Sequence, residues 1–384
     1  MSEDERGRDA TTAPDWTAPA REVRATAREF LESGEPAVLA TVVAVEGRAY
    51  RRPGAKMVVA PETDESGTGG AGSVTAGCLA DDLRKLARDV LADGTARLER
   101  FDLGADGETW GLGVGCDGVV DVLLEPLGKS HRPMLASADE LDSGRIAAVV
   151  VESDDDSVDV GDRWTSNDGG VAGELPSAVV AEIPDDLDGT ATVRVETEGG
   201  AVRLFVERVR PPPRLVVVGS NADVRPVVDL ARSAGFRVTV VGFRGGKATA
   251  DRFPRADRVV STSPRDLREA VDLAASDSVV LMTHNFVDDQ IALGELLATP
   301  VEYVGVMGPS DRFERLSDAL ASDGRGIDDA DRERIYAPVG LDLGGGSPYQ
   351  VAHSIVAEAL AVRNGRPGGH LRTSDRPIHG RDQR

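Results

Sequence analysis

Residues 214–224 read Arg-Leu-Val-Val-Val-Gly-Ser-Asn-Ala-Asp-Val: a short, unbroken apolar run, a turn, and the opening of a helix expected over 222–234. A strand covered on both faces reads as such a continuous run rather than as an alternation. The same unit recurs downstream. Arg237–Val241, Arg258–Val260, Ser278–Thr283 and Val301–Met307 are apolar strands, with helices expected at 264–275, 287–296, 310–321 and finally Gln350–Arg363. Strands alternating with helices predict a parallel sheet with right-handed crossovers.

The fold class that follows is α/β, with a Rossmann-like doubly wound parallel sheet over 210–365. Its phosphate-binding turn is incomplete. A dinucleotide fingerprint places glycine first, third and sixth; here Gly219 stands first, but Asn221 and Val224 occupy the other two places. The acid expected after the second strand is replaced by Gly242, and Arg244 follows, a residue suited to a 2′-phosphate. NAD is therefore disfavoured, and NADP stays open as a weaker alternative.

Working backwards, Pro211, Pro212 and Pro213 form a stiff boundary. Residues 128–209 carry short β-prone runs (146–152, 177–183, 190–196, 201–207) between acidic turns, and read as a β-rich section packed on the domain before it. Residues 21–127 read as an N-terminal α/β domain. A helix over 21–35 places Val23, Ala27, Phe30 and Leu31 on one face; strands follow at Ala37–Val45, Lys56–Ala60, Arg97–Leu103 and Val119–Glu125; and a second helix aligns Leu79, Leu83, Leu86 and Val90. Residues 1–20 are expected to be a disordered tail without a secretory signal, and 366–384 a mobile one.

The net charge is −22, from 66 acids against 44 bases, and Lys56, Lys85, Lys129 and Lys247 are the lysines. An acid-rich, lysine-poor surface suits concentrated salt and leads us to expect a halophile-type, cytoplasmic protein. Such a field opposes nucleic acid, and no apolar run is long enough for an integral membrane segment. Cys78 and Cys116 make no disulfide framework, and no zinc-type spacing is present.

Several residues are candidates for chemistry. Residues 69–78 read Gly-Gly-Ala-Gly-Ser-Val-Thr-Ala-Gly-Cys, so Gly77 and Cys78 fall at a helix start. The helix dipole there favours an anionic sulfur, and neighbouring amides offer an anion cradle. A soft sulfur beside an anion site suits a thiophilic metal on a phosphate-bearing cofactor. A buried structural thiol is the plainer alternative; the glycines around Cys78 favour the functional reading. Arg51, Arg52 and Lys56 gather positive charge for an anion, or else pair with the acidic surface. Cys116 lies in a glycine turn, 113–118. At the strand ends of the second domain, His284 and Asp288 are placed for ligand contact or proton transfer, and Arg312 for an anion. Satisfied loop groups are the alternative there.

These blocks together resemble the XdhC/CoxI family, accessory factors of molybdenum hydroxylases such as xanthine dehydrogenase. The resemblance rests on residues 40–43, 51–57, 72–79, 110–118, 211–215, 283–285, 303–308 with Arg312, and 337–344, in that order. It departs at Ala76, Ala80, Asn221, Asp223 and Gly242. It implies a non-catalytic chaperone that binds the molybdenum cofactor (molybdopterin) transiently, protects it during sulfuration by a cysteine desulfurase, and inserts it into a client hydroxylase. On that reading Cys78 and Cys116 contact molybdenum or its sulfur, and Arg51, Arg52 and Lys56, with Gly77, Gly219, His284 and Arg312, are cofactor-binding candidates. A homodimer is the expected assembly. An NADP-dependent oxidoreductase and a ligand-free scaffold are the competing readings.

The charge pattern carries its own test. The thermal midpoint should climb as KCl is raised from about 0.1 M to about 1 M, because the Debye length shrinks and screens acidic self-repulsion. A midpoint that falls or stays flat would remove the halophile reading.

Overall fold

A computed structural model describes residues 16–60, 70–103, 118–136, 144–167, 170–173 and 175–373. The chain divides into two compact units, Met1–Pro211 and Pro212–Arg384.

The first unit stacks two antiparallel sheets. One is built from α1 (Ala20–Ser33), β1 (Val38–Glu46), β2 (Lys56–Val59), β3 (Gly70–Gly72), α2 (Ala80–Asp93), β4 (Arg97–Asp102) and β5 (Val119–Pro126), in strand order β3-β2-β1-β5-β4. The other contains β6 (Arg145–Ser153), β7 (Arg163–Asn167), β8 (Gly170–Ala172), a single helical turn α3 (Ser177–Val180), β9 (Thr190–Glu196) and β10 (Ala201–Val209), ordered β8-β7-β6-β10-β9. Strand parity sets the packing. Val38, Ala40 and Val42 of β1, with Val120, Val122 and Leu124 of β5, face Leu83, Ala87 and Val90 of α2. Residues of the opposite parity, Val43 and Leu123, meet Val149, Val151 and Phe205 of the second sheet.

One ion pair is buried in the first unit and a second is largely sheltered. Glu125 of β5 is paired with Arg163 of β7, and His131 Nε2 lies 3.8 Å from the same carboxylate. Lys56 of β2 donates to both oxygens of Glu207 on β10, at 2.6 and 2.7 Å. Burial alone would raise the Glu125 pKa, but Arg163 and His131 overcome it and hold the carboxyl at about 2. Burial, then the Arg163 charge, push the His131 pKa below its ordinary value.

The second unit is a six-stranded sheet. Its elements are β11 (Arg214–Val218), α4 (Val224–Ser233), β12 (Arg237–Gly242), β13 (Arg258–Ser261), α5 (Leu267–Ala270), β14 (Ser278–Leu281), α6 (Phe286–Leu297), β15 (Tyr303–Val306), α7 (Ser310–Ser322), α8 (Asp329–Arg334), β16 (Ile335–Tyr336) and α9 (Pro348–Arg363). The order is β13-β12-β11-β14-β15-β16, with every pairing parallel. Helices α4 and α9 cover one face; α5, α6 and α7 cover the other. This is the doubly wound arrangement expected from the continuous apolar strands.

Local departures have identifiable causes. The helix expected over 264–275 ends after Ala270, because Val271 turns extended (φ −132°, ψ 108°). Beyond it the chain is held by Asp277, whose carboxylate accepts from the Ala274 amide at 2.8 Å and pairs with Arg214. The strand expected at 177–183 is instead α3, entered from Pro176; Val179 and Ile183, four apart, share one core. Strands β7, β8 and β16 were not visible as apolar runs. Trp16 and Ala18, expected in a disordered tail, are packed: Arg84 stacks over the Trp16 ring at 5.1 Å, Ala18 is buried, and α1 already starts at Ala20.

Removing one partner of a buried pair strands the other charge, at a typical cost of about 3–5 kcal/mol. Glu125→Gln should therefore lower the urea midpoint of the first unit, followed by tryptophan fluorescence, since Trp16, Trp110 and Trp164 all lie in it. Both groups have folded pKa values below their unfolded ones, so each stabilises at higher pH. Stability should be lost as pH falls below about 6.5, where unfolded His131 takes a proton, and again from about 4.5 towards 2, where unfolded Glu125 does. A wild-type midpoint independent of pH over this range would contradict both assignments.

Candidate functional site

In the first unit, three connections leave the same end of one sheet. Glu46 at the end of β1 faces Val119, the first residue of β5, and Asp102 at the end of β4 faces Val119 from the other side. Met57 near the start of β2 faces Gly72, the last residue of β3. The connections at 47–55 and 73–79 therefore leave the same end of the sheet as Leu103 and Gly118, the described flanks of the third. Arg51 and Arg52 lie on the first, Gly77 and Cys78 on the second. Cys116 belongs to the third and lies outside the described residues, but its flank Gly118 is seated against the 47–55 connection: a Cβ there would lie 2.5 Å from the Arg48 carbonyl oxygen.

Backbone geometry shapes each connection. The 51–55 turn is hydrogen-bonded to β1, the Gly54 amide donating to the Val42 carbonyl at 2.8 Å and the Val42 amide to the Ala55 carbonyl at 2.9 Å. Gly77 has φ +109° with open space around its missing Cβ, so conformation and not crowding calls for glycine. Cys78 follows as a half-buried free thiol, one residue before the Leu79 N-cap of α2. The anion cradle expected here is narrower than the sequence suggested. The Gly77 and Leu79 amides donate to Thr75 Oγ1, through long bonds of 3.3 and 3.5 Å.

Lys56 is removed from the ligand set: its ammonium is sheltered and held by Glu207. Arg51 and Arg52 have no ion-pair partner among the described residues. One half-buried sulfur, packed against the core beneath α2, and two guanidiniums without an ion-pair partner among the described residues, all on connections at one sheet end, are a donor set that fits a soft metal carried on an anionic ligand. Among the described residues no three His, Cys, Asp or Glu side chains converge to hold a metal by themselves.

The second unit gathers polar groups at the carboxyl ends of β11 and β14. These strands are neighbours, and the connections after them lead to opposite faces, which makes their shared edge the topological switch point. His284 Nε2 lies 2.6 Å from Asp223, the N-cap residue of α4. Arg244, a candidate for a 2′-phosphate, instead pairs with Asp288 at 2.8 Å. Arg312, a candidate for an external anion, is bound to the buried carboxylate of Asp289 at 2.5 Å, and Thr283 donates to the other oxygen at 2.6 Å. Gly219 cannot be anything else: a Cβ would lie 2.5 Å from the Met282 carbonyl oxygen, where the two connections cross. Further along the sheet, buried Glu358 accepts from the Tyr303 hydroxyl and the Gly340 amide, both at 2.8 Å; burial, then Glu358, push the Tyr303 pKa upward.

Two family models match the chain in sequence: the XdhC and CoxI family over 30–102 and the XdhC Rossmann domain over 215–359. The chain belongs to the XdhC and CoxI family. It is 28% identical to a probable xanthine dehydrogenase subunit of Bacillus subtilis over 87% of this chain and 95% of that one. The uncharacterized protein YqeB of Escherichia coli is 27% identical over 47% of this chain and 32% of its own length. A crystal structure of a xanthine dehydrogenase from Bacillus halodurans superposes with a TM-score of 0.70 at 27% identity, covering 92% of this chain and 98% of that one. In this XdhC-family chain, no helix of the described residues is long and apolar enough to cross a membrane.

Sequence reading missed the partners more than the sites. Asp223 stands 61 positions from His284 and meets it only because parallel pairing sets β11 beside β14. Thr75 and Asp289 carried no signal as a bare threonine and a surface-type acid. Crowding at the crossing gives a direct check. Gly219→Ala should lose about 1–3 kcal/mol of stability, the usual cost of forcing atoms into a packed site, measured by denaturation followed by circular dichroism; an unchanged midpoint would show that the crossing relaxes freely.

Proposed function

We propose that this chain is an accessory factor for a xanthine dehydrogenase-type molybdenum hydroxylase, and that its cargo is the molybdenum cofactor. The observation that carries the reading is that Cys78 and the two guanidiniums of Arg51 and Arg52, without an ion-pair partner among the described residues, lie on connections at the same end of the first sheet, in a chain of this family. As cargo, molybdopterin brings a soft metal and a terminal phosphate. Cys78 would meet the metal or its sulfur, and Arg51 and Arg52 the phosphate. Cys116, which falls in sequence between Leu103 and Gly118, is the second sulfur we assign to the cargo. A cysteine desulfurase would supply sulfur while the cargo is held, and the client would then receive it. A homodimer is the assembly we propose for this step.

The oxidoreductase alternative is weakened by the second unit. Arg244 is engaged by Asp288, and Asp223 places a carboxylate at the helix start where a pyrophosphate would sit.

Protein purified anaerobically in high salt should carry molybdenum and oxidisable pterin fluorescence. Cys78→Ala should lower the molybdenum retained per chain, and Arg51→Ala with Arg52→Ala should lower retained pterin by about tenfold or more, the scale of two lost charge-assisted contacts. Unchanged retention in all of these variants would refute the site, while Lys56→Met should act on stability rather than retention.

A further inference from the structure

We infer that the switch point of the second unit is a proton-transfer site: a histidine base, His284, oriented by Asp223, for an uncharged or cationic ligand bearing an acidic O–H or S–H. It stands independently of the cargo site assigned to the first unit.

Three observations converge. His284 is the one described non-glycine residue with positive φ, at 60°. Such a backbone costs about 1–3 kcal/mol and persists only where its surroundings enforce it. They do so here. Thr283 Oγ1 accepts from the Asn285 amide at 3.1 Å and donates to Asp289, and Asn285 caps α6 by accepting from the Val287 and Asp288 amides. Asp289, almost wholly buried, is in turn fixed by Arg312. A rigid frame therefore holds one strained residue, and the consequence of the strain is to point its imidazole across the switch point.

Asp223 supplies the second observation. As N-cap of α4 it makes no side-chain cap bond, and its carboxylate goes to His284 Nε2 instead. With Nε2 carrying its hydrogen toward Asp223, the Nδ1 lone pair is left without a partner among the described residues. About half of the side chain's surface is open to solvent. A base, an orienting carboxylate and access for a ligand are the parts that proton abstraction needs. The proton leaves the ligand's oxygen or sulfur for Nδ1, and the imidazolium formed is stabilised by Asp223.

Charge fixes the ligand class. Around the switch point stand three carboxylates, the part-exposed Asp223 and Asp288 and the buried Asp289, against two guanidiniums, Arg244 and Arg312, each already paired. The place where a doubly wound domain ordinarily receives pyrophosphate is filled by the protein's own carboxylate. Phosphate esters are thus excluded, and a ligand without negative charge is admitted.

The test uses p-nitrophenyl acetate with the full chain. Nδ1 takes a proton from water, the uncharged O–H ligand, whose oxygen attacks the acetyl carbon; the bond to p-nitrophenolate breaks, acetate is released, and the imidazolium returns its proton to solvent. His284→Asn retains a residue that tolerates positive φ and should lower the rate at least about tenfold, the lower end of what a positioned base supplies. Asp223→Asn should lower kcat with KM and melting temperature unchanged, and Asp223→Glu should restore part of the rate. His353→Ala and His370→Ala should behave as wild type, and millimolar inorganic pyrophosphate should leave the rate unaltered. A His284→Asn rate equal to wild type, or an Asp223→Asn rate equal to wild type, would overturn the dyad; saturable inhibition by pyrophosphate would overturn the ligand class.

Discussion

The bidentate pair between Lys56 and Glu207 is the contact on which the first unit's site depends. It joins the start of β2 to β10 of the facing sheet with both side chains nearly closed to water. An exposed pair of this kind would contribute little; a sheltered one, once made, cannot lose either partner without stranding a charge. Its position gives it a second effect. Lys56 directly follows the 51–55 turn, whose Gly54 and Ala55 are hydrogen-bonded to β1. The turn is thus tied to both sheets, and Arg51 and Arg52 project from a fixed base. The one lysine of this segment is held by Glu207, and the two arginines have no ion-pair partner among the described residues. Glu125 and Arg163 repeat the device deeper in the same stack.

The second unit reaches a comparable result by a different route. Its sheet order leaves the ends of β11 and β14 side by side, and Gly219 lets the two connections touch. Each carboxylate at this edge then finds an internal partner: Asp223 the His284 imidazole, Asp288 the Arg244 guanidinium and Asp289 that of Arg312. In a chain of net charge −22 this pairing is a condition for holding three acids within one edge. It also changes what a doubly wound sheet offers a ligand, since the helix start that usually meets phosphate faces a carboxylate.

The doubly wound unit was legible because its strands are buried on both faces and their apolar runs are unbroken from Leu215 to Val218 and from Val279 to Met282. The glycine fingerprint was legible as incomplete, since Asn221 and Val224 stand where two of its glycines belong. Short elements were not legible. β16 has two residues, and α3 was taken for a strand because Val179 and Val180 are β-prone while the helical pairing of Val179 with Ile183 spans one turn. At the sites, residue types could be read but commitments could not. Lys56 and Arg312 look like free cations in sequence; their partners Glu207 and Asp289 are distant or inconspicuous, and only sheet stacking and helix packing bring them together. The placement of Cys78 before a helix was legible, whereas Thr75 as the acceptor of its neighbours' amides was not.

The proposed service in the maturation of a molybdenum hydroxylase is the role on which the rest turns. The most direct measurement is the activity and molybdenum content of a xanthine dehydrogenase-type client produced with and without this chain. The client should be poor in molybdenum and inactive alone, active when the wild-type chain is present, and left inactive when the chain carries Cys78→Ala. A client that is fully loaded and active in the absence of this chain would contradict that role.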